Sequence, residues 1–235
     1  MSWIAEVIKI DYALLLLETQ SLYSLKQYFD GLDDDKTKAA ARLQNNENFK
    51  NAIRLTNELV EEEKEHPKIE KLREIVESEL ARNKDTRIIV FAQYRSTIKK
   101  IFDTLKGVKY AAQIEFIGQA NKSGGKGLSQ KEQTQILNEF KMGFYNILCA
   151  SQVAEEGLDV VETDLVIFYE PIPSAIRKIQ RVGRTARTRI GRVITLITKQ
   201  TRDEAYHWTA HHKENKMHKI LHDIQKGQKS MDEFK

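Results

Sequence analysis

From Thr86 onward, short unbroken apolar runs alternate with amphipathic stretches. The runs are Ile88-Ile89-Val90-Phe91, Ile114-Glu115-Phe116-Ile117, Ile147-Leu148-Cys149-Ala150, Leu165-Val166-Ile167-Phe168-Tyr169 and Val193-Ile194-Thr195-Leu196-Ile197. Between them, helical patterns run from about Ser96 to Leu105, Ser129 to Lys141 and Ser174 to Val182. Apolar runs this short are strands buried on both faces, and their alternation with helices predicts right-handed βαβ units in a parallel sheet. The expected class is α/β, doubly wound.

Residues 1–83 read differently. They contain one proline and one glycine and are dense in Leu, Ala, Glu, Lys and Asn, a composition that favours helices joined by polar turns. Helices are predicted over Ile10–Phe29, Thr37 to about Glu65, and Pro67–Ala81. Pro67 can open the third because a first-turn residue needs no N–H partner. Ile69, Leu72, Ile75, Val76 and Leu80 give that helix one apolar face. A last helix is expected from Thr201-Arg202-Asp203-Glu204, which has the form of a capping box, to about Gln225. The expected units are therefore an all-α domain over 1–83, a parallel-sheet domain over 84–200, and a C-terminal helix with a frayed tail over 201–235.

With 235 residues the chain can bury a real core without staples. Its one cysteine, Cys149, lies inside an apolar run, which marks a structural thiol and excludes a disulfide scaffold. The apolar run Ala13–Leu17 is far short of the roughly 18 residues a membrane helix needs. The start lacks the pattern of a signal peptide, so the expectation is a soluble, cytoplasmic protein with no membrane partner.

The net charge of +4 says little until it is read by position. Between Pro171 and Arg202 stand nine basic and no acidic residues. Within that stretch Ile172, Ala175, Ile176, Ile179 and Val182 form one helix face, and Arg177, Arg181 and Arg184 fall on the other. Open parallel sheets bind ligands beyond the carboxyl ends of their strands, and guanidinium groups fit phosphate oxygens in bidentate geometry. This edge is therefore an expected polyphosphate or nucleic-acid site. The loop from Gly118 to Gly127, with four glycines and two lysines, fits both a phosphate cradle and an ordinary surface loop. Glu155-Glu156-Gly157-Leu158-Asp159 follows a predicted strand directly; its glycine permits close backbone approach, and a carboxylate there can accept from a ribose hydroxyl.

Gln180-Arg181-Val182-Gly183-Arg184-Thr185-Ala186-Arg187 resembles motif VI of superfamily 2 helicases. Ser151 to Asp159 is similar to their motif V, and Ile88 to Arg95 to their motif IV. More narrowly, Phe116–Ala120, Gly127–Gln133, Tyr169–Arg177 and Thr201–Tyr206 look like the archaeal Hef and eukaryotic FANCM fork-remodelling helicases. His66-Pro67-Lys68 and the helical N-terminal third resemble the insertion domain of that family.

The resemblance implies the second RecA-like lobe of an ATP-driven DNA translocase, preceded by a helical insertion domain that grips DNA. Its ATP and Mg²⁺ would lie between this lobe and an N-terminal lobe supplied in cis or in trans. By motif match, Arg184 and Arg187 would reach the triphosphate, with Arg187 as the finger, while Gln180 and Arg181 organise the interface. Gly157 and Asp159 would line the nucleotide. Gln93, Arg95, Gly118, Gln119, Ser151 and Arg177 would contact DNA, forked or branched in this family. Ala186 stands where motif VI usually has glycine.

No G-x-x-x-x-G-K-[ST] occurs in the sequence, so this chain by itself is expected not to hydrolyse ATP. Asp203-Glu204-Ala205-Tyr206 mimics a D-E-A-H motif but follows motif VI, and reads as a decoy. His207, His211, His218 and His222 share one side of the last helix, yet with no Cys or carboxylate partner evident a solvated or DNA-facing row is favoured over zinc. No metal site is expected. The competing function is a stand-alone nucleic-acid-binding or protein-docking module without ATPase activity.

Overall fold

A computed structural model of the chain describes residues 2–118, 127–151, 163–171 and 191–213. Four helices come first: α1 (Ser2–Thr19), α2 (Leu22–Asp33), α3 (Lys38–Asn45) and α4 (Glu47–Glu61). Then follow α5 (Pro67–Arg82), β1 (Ile88–Ala92), α6 (Arg95–Leu105), β2 (Gln113–Phe116), α7 (Gln130–Met142), β3 (Ile147–Ser151), β4 (Leu165–Phe168) and β5 (Arg192–Thr195). Residues 202–213 form the helix α8.

The five strands lie in the order β2-β3-β1-β4-β5, and every neighbouring pair is parallel. This is the expected α/β architecture, a RecA-like parallel sheet flanked by helices and preceded by a helical region. Alternate strand residues feed two cores, because successive side chains point to opposite faces. Ile88, Val90, Cys149, Leu165 and Ile167 pack under α5 and α6. Ile89, Phe91, Leu148, Val166 and Phe168 pack with Leu137 and Phe140 of α7. The chain steps one way along the sheet through α6 and back through α7, so the crossover helix changes face, as right-handed connections require.

Two expected long helices are each broken. Gln20 and Ser21 separate α1 from α2: Ser21 is extended and its hydroxyl accepts from the Ser24 N–H, capping α2. Asn46 separates α3 from α4, and its side chain accepts from the N–H groups of Asn48 and Phe49. Both breaks follow from side chains that satisfy a new helix start better than they continue the old one. Helix α7 matches its expectation closely, with a Ser129/Glu132 capping box and a left-handed Gly143 at its end.

Helix α5 packs in the sheet core through Ile69, Leu72, Val76 and Leu80, whereas α1 to α4 build a separate core around Leu16, Leu25, Phe29, Leu43 and Phe49. By packing, α5 therefore belongs with the sheet and not with the helices before it. Helix α1 is apolar on two sides; Trp3, Val7, Ile10, Leu14 and Leu17 are exposed on its outer face. Among the described residues, no helix is long and apolar enough to cross a membrane.

Candidate nucleic-acid interface

Strand β1 ends at Ala92, Gln93 is exposed, and α6 begins at Arg95. Tyr94 occupies the N-cap position in an extended conformation and makes no side-chain cap. The N-cap side chain thus leaves the start of α6 uncapped, and a helix N-terminus favours an anionic oxygen. Arg95 Nη2 donates to the Gly118 carbonyl at 3.1 Å, joining the exits of β1 and β2. The Gly118 N–H in turn donates to Ser151 Oγ at 3.2 Å, joining β2 to β3. Gln133, in the first turn of α7, donates to the carbonyls of Ile117 and Leu128 and pins the ends of the intervening segment.

Four of the expected DNA-contacting residues, Gln93, Arg95, Gly118 and Ser151, therefore gather at one sheet edge. Gly118 and Ser151 are buried and bonded to each other, so they shape the edge, while Gln93 and Arg95 present polar atoms on it. Gln119, Gly157, Asp159, Arg177, Gln180, Arg181, Arg184 and Arg187 lie outside the described residues.

The β4 exit is built from charged groups to which the sequence pattern assigned no site role. Lys68 Nζ donates to Asp203 Oδ2 at 2.6 Å and to the Tyr169 carbonyl at 3.0 Å, and stands 4.8 Å from the centre of the Tyr169 ring. Both partners of this ion pair are almost fully buried. Burial pulls the Lys68 ammonium below its ordinary pKa, against the raising effect of Asp203. Beside it, burial pushes the Glu170 carboxyl up to about 7, opposed by Lys68, by a hydrogen bond from Gln20 and by the Gln93 backbone N–H. His66 Nδ1 accepts from the Lys68 N–H, capping α5, and Nε2 lies 3.0 Å from the Glu18 carbonyl. That geometry requires the neutral ring protonated at Nε2, and burial lowers the His66 pKa accordingly. Lys68 was detectable: it stands in step with Leu72, Val76 and Leu80 at intervals of four on the buried row of α5.

Asp203 also accepts from the Thr198 N–H at 3.1 Å, and Glu204 accepts from the Gln200 N–H at 2.9 Å. The expected capping box is thus displaced: Thr201 Oγ1 accepts from Asp203 N, and the reciprocal bond reaches Gln200 instead of Thr201. Asp203 and Glu204 do not fit a magnesium ion, because both carboxylates are held by protein donors. Two of the nine basic residues expected on one anion-binding edge are likewise engaged elsewhere. Arg192 pairs with Glu79 of α5, and Arg202 pairs with Asp11 and Glu18 of α1. Cys149 is buried in β3, as a structural thiol should be. Among the described residues, no three His, Cys, Asp or Glu side chains cluster as a metal site. His207 and His211 stack at 6.5 Å between ring centres, and His218 and His222 lie outside the described residues.

Comparison with known proteins places this chain in a family. The family model of the helicase conserved C-terminal domain matches residues 67–189, beginning at the first residue of α5. The helicase domain of Hef from Pyrococcus furiosus superposes with a TM-score of 0.70 at 45% identity, covering 89% of this chain and 43% of that one. A Methanocaldococcus jannaschii protein, provisionally named as an ATP-dependent RNA helicase, is 43% identical over 219 residues, 92% of this chain and 27% of its own length. The ATP-dependent DNA helicase MPH1 of Coccidioides immitis is 37% identical over 155 residues, 60% of this chain and 14% of its own length. The chain thus spans under half the length of each of these proteins. It belongs to the helicase conserved C-terminal domain family, as the second RecA-like lobe of a superfamily 2 helicase.

Proposed function

We propose that this chain is the C-terminal half of an ATP-dependent DNA helicase or translocase acting on forked or branched DNA. The observation that carries the reading is the convergence of Gln93, Arg95, Gly118 and Ser151 at the carboxyl edge of a sheet that belongs to the helicase family. Arg95 and the first turn of α6 would hold the nucleic-acid backbone, an interaction that positions the strand without reading its sequence. Gln119 and Arg177 would extend that track, and α1 to α4 would grip the duplex near the junction. The names of Hef and MPH1 relatives as helicases support the choice of a translocating function over a stand-alone module.

The ATP site would be completed by an N-terminal lobe carrying the P-loop and the Mg²⁺ ligands. To it this chain would contribute Gly157 and Asp159 beside the nucleotide, Gln180 and Arg181 as interface organisers, and Arg184 and Arg187 at the triphosphate. A guanidinium at that position neutralises charge on the transferring phosphoryl group, an effect worth about 10³–10⁵ in rate in NTPases.

The test compares ATP hydrolysis by this chain alone with hydrolysis after a P-loop lobe is joined to it, each with and without forked DNA. The proposal expects no turnover alone, and turnover in the joined protein that forked DNA stimulates more than linear duplex. Nucleic-acid binding without restored turnover would instead identify a stand-alone module. A second reading has a specific source, the RNA helicase name of the 43% identical relative. Stimulation by RNA at lower concentration than by DNA would favour it.

A further inference from the structure

Gln20 sits in the break between α1 and α2, 2% exposed, and each of its polar side-chain atoms is committed. Its Nε2 donates to Glu170 Oε2 at 3.4 Å and to Thr19 Oγ1 at 3.2 Å. Its Oε1 accepts from Thr97 Oγ1 at 2.9 Å, and its backbone carbonyl accepts from the Tyr169 hydroxyl at 2.9 Å. The directions of the neighbouring bonds follow from counting donors. Because Thr97 gives its only hydroxyl proton to Gln20, the 3.1 Å contact between Ser24 and Thr97 has Ser24 as donor. Ser24 is then spent, so Ser21 donates across the 2.9 Å contact to Ser24. The bonds run one way, from Ser21 through Ser24, Thr97 and Gln20 to the Glu170 carboxylate.

Thr97 stands in α6, two residues after Arg95. Through Gln20, one buried carboxylate therefore ties the start of α6, where the nucleic-acid edge lies, to the β4 exit, from which the chain continues toward Arg184 and Arg187. Gln20, delivered by the N-terminal helices, sets the position of that carboxylate. A second contact reinforces the joint: Tyr94, between Gln93 and Arg95, packs on Tyr12 of α1 at 5.9 Å between ring centres. The joint is polar and buried, and half-satisfied networks of that kind are costly, so a shift of Thr97 or Glu170 moves the other through Gln20.

We infer that Gln20 and Thr97 are positioning residues that transmit engagement of the nucleic-acid edge to Glu170 and the β4 exit. The inference rests on the helicase reading and adds the route by which nucleic acid would stimulate ATP turnover. Neither side chain is assigned a contact with nucleic acid or nucleotide.

The experiment uses the joined helicase and measures basal ATPase, nucleic-acid-stimulated ATPase and the DNA concentration for half-stimulation, with melting temperature as a control. Thr97→Val removes the hydroxyl at constant shape, Thr97→Ser restores it, and Gln20→Met removes both polar atoms. Thr97→Val and Gln20→Met are expected to lower the ratio of stimulated to basal turnover by about three- to thirtyfold, the range seen for residues that carry coupling. Basal turnover should stay within about twofold, and Thr97→Ser should recover the wild-type ratio. If Gln20→Met melts too low to assay, the valine and serine pair at Thr97 reads the same bond. An unchanged ratio in Thr97→Val, or a loss that follows basal activity and melting temperature, overturns the inference alone. A wild-type assembly with no stimulation overturns it together with the helicase reading.

Discussion

The Lys68 ammonium lies 2.6 Å from the Asp203 carboxylate, and the pair is buried between α5 and α8. It joins residues 135 positions apart, closes the β4 exit through the Tyr169 carbonyl, and occupies the aspartate of a sequence that imitates a magnesium-binding motif.

Removing one member of this pair leaves an uncompensated buried charge. Lys68→Met or Asp203→Asn is expected to cost about 3–5 kcal/mol of unfolding free energy, measured by urea denaturation. Lys68→Met combined with Asp203→Leu should cost much less, because no charge is then left buried. Equal losses in the single and double variants would show that the pair contributes packing alone.

Glu170 sets a pH dependence of definite sign. Its carboxyl is raised from 4.5 to about 7, so between those values the folded state binds a proton that the unfolded state has released. Stability linked to this group is then full below about 4.5 and is lost as pH rises toward 7. Measured against Glu170→Gln, which removes the titration and cancels the opposite contribution of neutral His66, wild type should lose stability from pH 4.5 to 7 and hold a constant gap above it. A gap that does not change across that range would contradict the assignment.

Much of this architecture was legible in the sequence. The five strands and helices α6 and α7 follow from unbroken apolar runs flanked by helical periodicity, and each strand lies where the pattern put it, within about two residues. The breaks at Gln20-Ser21 and Asn46 were not legible. Gln20 looks like a solvated helix residue until it meets Thr97 and Glu170, 77 and 150 positions away. Of the nucleic-acid contacts implied by the family resemblance, Gln93, Arg95, Gly118 and Ser151 lie together because each stands at a strand end or within three residues after one. Arg192 and Arg202 show the limit of reading charge by position, since their carboxylate partners come from α5 and α1.

Arg95 provides the test of the nucleic-acid edge. Arg95→Gln is expected to weaken DNA binding alike for all sequences and to flatten the dependence of log affinity on log salt by about 0.7–0.9, one phosphate contact. An unchanged slope with weakened binding would show that Arg95 shapes the edge without contacting a phosphate.

The central claim is that this chain carries half of an ATP site, with Arg187 as its finger. Single-turnover ATP hydrolysis by the joined helicase on forked DNA, wild type against Arg187→Ala, tests it most directly. The account predicts a fall in rate of about 10³–10⁵ with ATP still bound. A rate within a few-fold of wild type would contradict it.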